Sequence, residues 1–284
     1  MSKAFEIFAP AKLNLCLYVG PRRDDGLHEI SSLLVPLSLA DRLVVSTAER
    51  DEVVVAGVEG PDLTARALTA LREAGWDHAP IRVEVEKLIP VAAGLGGGSA
   101  DAAAVLRLAR DRLPDERIEA IARGIGADVS SQLDPAFCLV GGAGEEVEPL
   151  PPPHPFAAVL IPDPEGLPTP AVYAEADRLG TTRTLDGLAD VRRRVVDATR
   201  AGTHPLEYAS LLVNDLAPAA LELRPSISVA LGLLVEVGAA VALVTGSGPT
   251  AVGLFEDRDR AVAAGTELRA AGHEAIVASS VESI

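Results

Sequence analysis

A chain of 284 residues with 41 acidic against 25 basic side chains, net charge −16, offers no extended basic face, so nucleic acid is excluded as an expected partner. The length suits two domains of ordinary size, each able to bury a core of its own. Cys16 and Cys138 are too few and too far apart for a disulfide framework or a zinc site, and no secretory leader is recognisable, so a cytoplasmic protein without membrane partners is expected.

The chain opens on strand-like stretches, Phe5 to Ala9 and Leu13 to Val19. A turn at Arg22-Arg-Asp-Asp-Gly26 leads to Ser32 to Leu39 and Arg42 to Ser46, and Asp51 to Val58 adds another strand. Leu63 to Ala74 has apolar residues at helical spacing, and Ile81 to Lys87 alternates apolar with charged residues as a half-buried strand does. Ala100 to Leu113 and Asp115 to Arg123 read as helices, the second ended by Gly124 and Gly126. Pro149-Leu-Pro-Pro-Pro153 then breaks the pattern, which places a domain boundary there, with domains of 1–150 and 151–284. Beyond it come a strand from Phe156 to Ile161 and helices near Pro170 to Ala176, Leu185 to Arg200, Tyr208 to Asp215 and Ser226 to Val237. Strands at Ala240 to Thr245 and Ala251 to Phe255, a helix from Arg258 to Ala271 and a strand from Ala275 to Ala278 complete an α+β fold. The apolar run from Ile227 to Val244 is broken by Glu236 and Gly238, which makes it a buried helix and a strand rather than a membrane span.

The most informative segment joins the Ile81 strand to the Ala100 helix through Pro90-Val-Ala-Ala-Gly-Leu-Gly-Gly-Gly-Ser-Ala100. Such a segment is either a tight turn or an anion site. Gly94, Gly96, Gly97 and Gly98 lie just before a helix N-terminus, where unpaired amides and the positive end of the helix dipole favour phosphate. Ser99 can cap that helix or offer a hydroxyl to a nucleotide-bound metal. Neither a Walker loop nor a complete dinucleotide fingerprint is present. Of the 25 basic residues only Lys3, Lys12 and Lys87 are lysines, so a lysine kept inside a motif points to a need for a compact ammonium. Asp128 can either cap a helix beginning at Val129 or accept a proton from a reacting hydroxyl.

The Pro90 to Ala100 loop resembles the second motif of the GHMP kinases. Ala9-Pro-Ala-Lys-Leu-Asn-Leu15 resembles their first motif, Gly126-Ala-Asp-Val129 the segment of their catalytic aspartate, and Thr245-Gly-Ser-Gly-Pro-Thr250 their third motif. Arg23-Asp-Asp-Gly-Leu-His28 and Pro168-Thr-Pro-Ala-Val-Tyr173 extend the likeness to the branch that phosphorylates the 2-hydroxyl of a methylerythritol carried on cytidine diphosphate, in non-mevalonate isoprenoid precursor synthesis.

The resemblance implies an N-terminal domain like ribosomal protein S5 domain 2 and a ferredoxin-like C-terminal domain, with ATP between them, Mg²⁺ assisting, and a monomer or homodimer as the assembly. It implies Lys12 and Asp128 as catalytic residues. ATP would be held by Pro90, Val91, Ala92, Ala93, Gly94, Leu95, Gly96, Gly97, Gly98, Ser99 and Ala100, with Gly246 and Ser247 closing over the phosphates. For the substrate it implies His28 on the cytosine, Tyr173 stacked on the base with Thr169 nearby, and Asn14 and Lys87 on polar and phosphate groups. No metal ligand is singled out beyond the hydroxyl of Ser99. Leu27 stands where the family usually has an aromatic, which would leave the base stacked on one side. Ala92 and Ala93 stand where relatives often have glycine, which predicts negative φ there and phosphate contacts starting at Gly94. The alternatives are another kinase of the superfamily, of homoserine or mevalonate type, or a nucleotide-binding protein without turnover.

Overall fold

The computed structural model describes residues 4–56, 62–200 and 202–282. Lys3 and the end of the expected Asp51 to Val58 strand lie outside the described residues. The four short strands expected at the N-terminus are two long ones, Phe5–Arg22 (β1) and His28–Thr47 (β2), paired antiparallel along their whole length. Pro10 does not end β1, because the register shifts between Pro10 and Lys12, again between Asn14 and Cys16, and again between Val19 and Arg22. Bulges of this kind bend a strand and re-aim its side chains.

Glu52–Val55 (β3) runs parallel to Ile81–Glu86 (β4), which pairs with the far half of β2. The near half of β2 pairs with Cys138–Gly141 (β5), itself in a hairpin with Glu146–Pro149 (β6), so the first sheet has six strands. Four helices belong to this half: Leu63–Glu73 (α1), Gly97–Arg107 (α2), Asp115–Ile125 (α3) and Ala127–Ser131 (α4). α1 starts where Asp62 accepts a hydrogen bond from the Ala65 amide at 2.8 Å, and it buries Thr64, Ala67, Leu68 and Leu71 on one stripe. α2 stops six residues short of Leu113, the end expected from its apolar spacing.

In the second half, Ala157–Ile161 (β7), Val241–Val244 (β8), Ala251–Phe255 (β9) and Ile276–Ser279 (β10) form an antiparallel sheet in the order β10-β7-β9-β8. Its helices are Thr169–Leu179 (α5), Leu185–Thr199 (α6), Ala217–Leu223 (α7), Ser226–Glu236 (α8) and Arg258–Ala270 (α9). The helix expected from Tyr208 to Asp215 is instead a 3₁₀ segment, Pro205–Leu211, with α7 following separately. The reason is polar. Asn214 donates to the carbonyls of Val244 and Gly246, each at 2.7 Å, and accepts from the Leu216 amide, while Asp215 accepts from the Val19 amide and the Arg183 guanidinium. Those bonds fasten the segment to β1 and leave no continuous helical ladder. The Ile227 to Val244 run divides into α8 and β8, and among the described residues no single helix is long and apolar enough to cross a membrane.

Among the described residues three large apolar cores result, beside a small cluster of Leu34, Cys138 and Val140. One lies between α1 to α3 and the far half of the first sheet, and another under α5, α7, α8 and α9. The third joins the halves: Leu13, Leu15 and Leu33 pack with Leu160, Val252 and Leu254, and α6 closes its side with Val191 and Val195. At the edge of this shared core the fully buried Thr250 donates its hydroxyl to the Ala93 carbonyl at 2.7 Å. Thr250→Val keeps the shape but leaves that buried carbonyl unpaired. It is expected to lower the unfolding free energy by about 1–3 kcal/mol in urea denaturation.

Candidate active site

A cavity of about 540 Å³ opens where β1, the glycine loop, α4, α5 and the 245–250 turn meet. Its floor is β1. The bulge after Pro10 turns Lys12 inward, and the Lys12 amide donates to the Leu95 carbonyl at 3.0 Å, which ties the strand to the loop. Lys12 is 94% buried; its ammonium donates to Asn14 Oδ1 at 2.5 Å and lies 3.4 Å from Asp128 Oδ2. Asn14 is held in turn: its Nδ2 donates to Ser32 Oγ, which donates to the Cys16 carbonyl, and its amide donates to Thr245 Oγ1. Asp128 sits in the first turn of α4, after Gly126 in the capping position, so it does not cap the helix; its half-exposed carboxylate faces Lys12 near the positive end of the helix dipole.

The glycine loop forms the second wall. α2 begins at Gly97, with Gly96 as its left-handed cap at φ +72°, so Ser99 is inside the first turn and does not cap. Among the described residues, the amides of Gly97, Gly98 and Ser99 have no hydrogen-bond partner, and a side chain built on Gly98 would meet nothing nearer than Leu63 at 3.8 Å. A row of free amides at a helix start fits a polyphosphate. Ala92 departs from the expectation of negative φ: it has φ +56°, because the chain must turn left-handed there although no glycine is present, at a cost of about 1–2 kcal/mol. Ala93 has no such departure and is buried.

The third wall is the 245–250 turn, which packs backbone to backbone on the glycine loop. A Cβ on Gly94 would lie 2.8 Å from the Gly248 carbonyl oxygen, and one on Gly246 would lie 3.1 Å from the Gly94 carbonyl oxygen. Ser247 Oγ is 2.8 Å from Thr169 Oγ1, which connects this turn to α5.

Farther along the cavity, His28 is 93% buried, with Nε2 2.8 Å from Asp177 Oδ1 and its ring stacked on Tyr173, centroids 5.1 Å apart at 30°. Burial, reinforced by the charge of Asp128, raises the Tyr173 hydroxyl above its ordinary range, so it stays neutral. Leu27 lies on the rim, 55% exposed, and Arg22 beside it donates to the Gly26 carbonyl. Lys12, Asn14, His28, Gly94, Gly96, Ser99, Asp128, Thr169, Tyr173, Gly246 and Ser247 therefore share one cavity. Pro90, Val91, Ala92, Ala93, Leu95, Gly97, Gly98 and Ala100 do not line it, nor does Lys87, which lies behind the loop, paired with Asp41 and Asp101.

Asp177, Asp41 and Asp101 had no assigned role in the sequence. Asp101 carried a signal, a carboxylate inside an alanine-rich helix, whereas Asp41 in a strand bend carried none. Both cysteines are buried, with thiols pushed up to about 12, so neither serves as a nucleophile. Among the described residues no group of three or more His, Cys, Asp or Glu side chains could hold a metal ion.

The chain belongs to the GHMP kinases, ATP-dependent kinases of small molecules, whose N-terminal domain matches residues 62–142 and whose C-terminal region matches residues 205–274. Within that family it is 40% identical to a 4-diphosphocytidyl-2-C-methyl-D-erythritol kinase from Anaeromyxobacter sp. (strain Fw109-5), over 91% of this chain and 85% of that protein. It is 39% identical to one from Mycolicibacterium gilvum (strain PYR-GCK), over 93% of this chain and 85% of that protein. A crystal structure of 4-(cytidine 5'-diphospho)-2C-methyl-D-erythritol kinase aligns with a TM-score of 0.80 at 35% identity, covering 97% of this chain and 99% of the other. A homoserine kinase from Cytophaga hutchinsonii ATCC 33406, at 18% identity and a TM-score of 0.70, shares the fold.

Gly94→Ala tests the close approach of the two loops. The added methyl meets the Gly248 carbonyl in a left-handed backbone, so the variant is expected to bind ADP at least about tenfold more weakly by calorimetry.

Proposed function

We propose that this kinase transfers the γ-phosphoryl group of ATP to the 2-hydroxyl of 4-diphosphocytidyl-2-C-methyl-D-erythritol, in the cytoplasm, as a step of non-mevalonate isoprenoid precursor synthesis. The observation that carries the reading is the Lys12–Asp128 pair, 3.4 Å apart, between the amide cradle and the pocket of His28 and Tyr173. An alcohol is a weak nucleophile at neutral pH. Asp128 accepts its proton as the new oxygen–phosphorus bond forms and the bond to the ADP oxygen breaks, a contribution of roughly 10²–10⁴-fold. Lys12 faces Asp128 and offsets charge on the transferred group; Asn14 fixes the direction of the ammonium. ATP supplies the phosphoryl group, with Mg²⁺ neutralising its oxygens, and the free amides of Gly97, Gly98 and Ser99 bind the phosphates, aided by Gly246 and Ser247.

At the other end, Tyr173 and His28 hold the cytosine, and Thr169 lies beside them. His28 Nε2 donates its hydrogen to Asp177 Oδ1, which leaves Nδ1 as an acceptor for an exocyclic amine. Leu27 offers the base an apolar rim in place of a second ring. The relatives' name and the full-length alignment support the cytidine substrate over homoserine or mevalonate.

An ATP-coupled assay with the cytidine substrate, homoserine and mevalonate side by side decides the question: turnover of the first alone, inhibited by CDP, is expected, and turnover of either other alcohol overturns the proposal. Asp128→Asn is expected to reduce kcat by at least about 10²-fold with ADP binding unchanged, and unaltered turnover would remove Asp128 from its role. Tyr173→Ala is expected to raise KM for the cytidine substrate by about tenfold or more, the loss of one stacking partner, with kcat nearly constant.

A further inference from the structure

Among the described residues, the most deeply buried charged cluster outside the cavity lies behind the glycine loop. Asp41, at the bend of β2, is fully buried; its Oδ1 accepts from the amides of Leu88 at 2.6 Å and Ile89 at 2.8 Å, and its Oδ2 from Lys87 Nζ. The same ammonium donates to Asp101 Oδ2 at 2.7 Å, and Asp101, on the second turn of α2, is 98% buried with its Oδ1 unpartnered. Lys87 and Asp101 therefore stand at the two ends of the loop, one just past β4 and one just inside α2. Lys87 Nζ is also 3.1 Å from where a side chain on Gly97 would begin, so the ammonium supports the turn that presents the free amides.

Two carboxylates and one ammonium make a poor core. Burial, with Asp41 adding to it and Lys87 opposing, pushes the Asp101 carboxyl up to about 7, and a well-packed apolar trio is commonly more stable than such a group. Burial would also lower the Lys87 ammonium, but the two carboxylates outweigh it and leave it raised. What the ionic arrangement supplies that an apolar one would not is a fixed distance and direction between the loop's ends. We propose that Asp41, Lys87 and Asp101 are positioning residues that brace the polyphosphate loop from behind and set its affinity for ATP without touching the nucleotide. The proposal rests on the loop being the ATP site and is independent of which alcohol is phosphorylated.

The test is calorimetric titration with ADP, alongside steady-state kinetics, for Lys87→Met, Asp41→Asn and Asp101→Asn. Bracing predicts that all three weaken ADP binding and raise KM for ATP by about tenfold or more, while kcat at saturating ATP stays within about threefold. If Lys87 were instead a phosphate ligand, Asp41→Asn and Asp101→Asn would free it, and their ADP affinity would hold or rise while only Lys87→Met lost it; that result overturns the proposal. Lower melting temperatures with unchanged ADP affinity overturn it too, since the cluster would then serve folding alone. Where Lys87→Met leaves lone buried carboxylates and fails to fold, the triple variant Lys87→Met with Asp41→Asn and Asp101→Asn removes all three charges and carries the same expectation. A wrong alcohol assignment would leave every ADP titration unaffected.

Discussion

The site depends on two stretches of nearly bare backbone from opposite halves of the chain lying against each other. Gly94 and Gly248 come so near that no side chain fits between them, and the Thr250 hydroxyl seals the contact on the Ala93 carbonyl. The loop on one side has its amides aimed outward, and the turn on the other is fastened through Asn214 and, by way of Thr245, to Asn14. Asn14 then fixes Lys12, and Lys12 fixes Asp128. The glycine loop and Asp128 are thus set relative to each other by a short chain of hydrogen bonds that ends in the Lys12–Asp128 ion pair, which suits the proposed reaction, one in which positioning and charge stabilisation provide most of the rate.

Much of this was legible in the residues. Alternation in Ile81 to Glu86 and the apolar stripe of α1 reported the burial of a single face, which is what periodicity measures. The glycine loop, Lys12, Asp128, His28 and Tyr173 sat in segments whose chemistry is local, and the cavity gathers them. The joining of four expected strands into β1 and β2 was hidden because Pro10 looks like a break, and only pairing with β2 shows that bulges accommodate it. β5 and β6 are four residues each, and β6 is wholly exposed, so neither leaves a pattern.

Other features required the third dimension. Ala92 adopts a left-handed conformation that its side chain disfavours, a constraint placed on it by the loop as a whole. Lys87 carries the same motif context as Lys12, yet faces the opposite side of the loop, because Asp41 arrives from a strand more than forty positions away in sequence. Residue type and spacing identify which groups are charged. They do not tell which side of a thin wall a long side chain takes.

The core that joins both sheets has a kinetic meaning. Enzymes that clamp a nucleotide between two lobes often swing apart about a hinge, but parting these lobes would expose Leu13, Leu15, Leu33, Leu160, Val252 and Leu254 to water together. At about 1.5–3 kcal/mol for each large side chain, that swing is prohibitive on the timescale of turnover. Ligands must therefore come and go through the open rim around Leu27 and Ser247, and any gating of turnover belongs to those few edge residues rather than to whole-lobe movement.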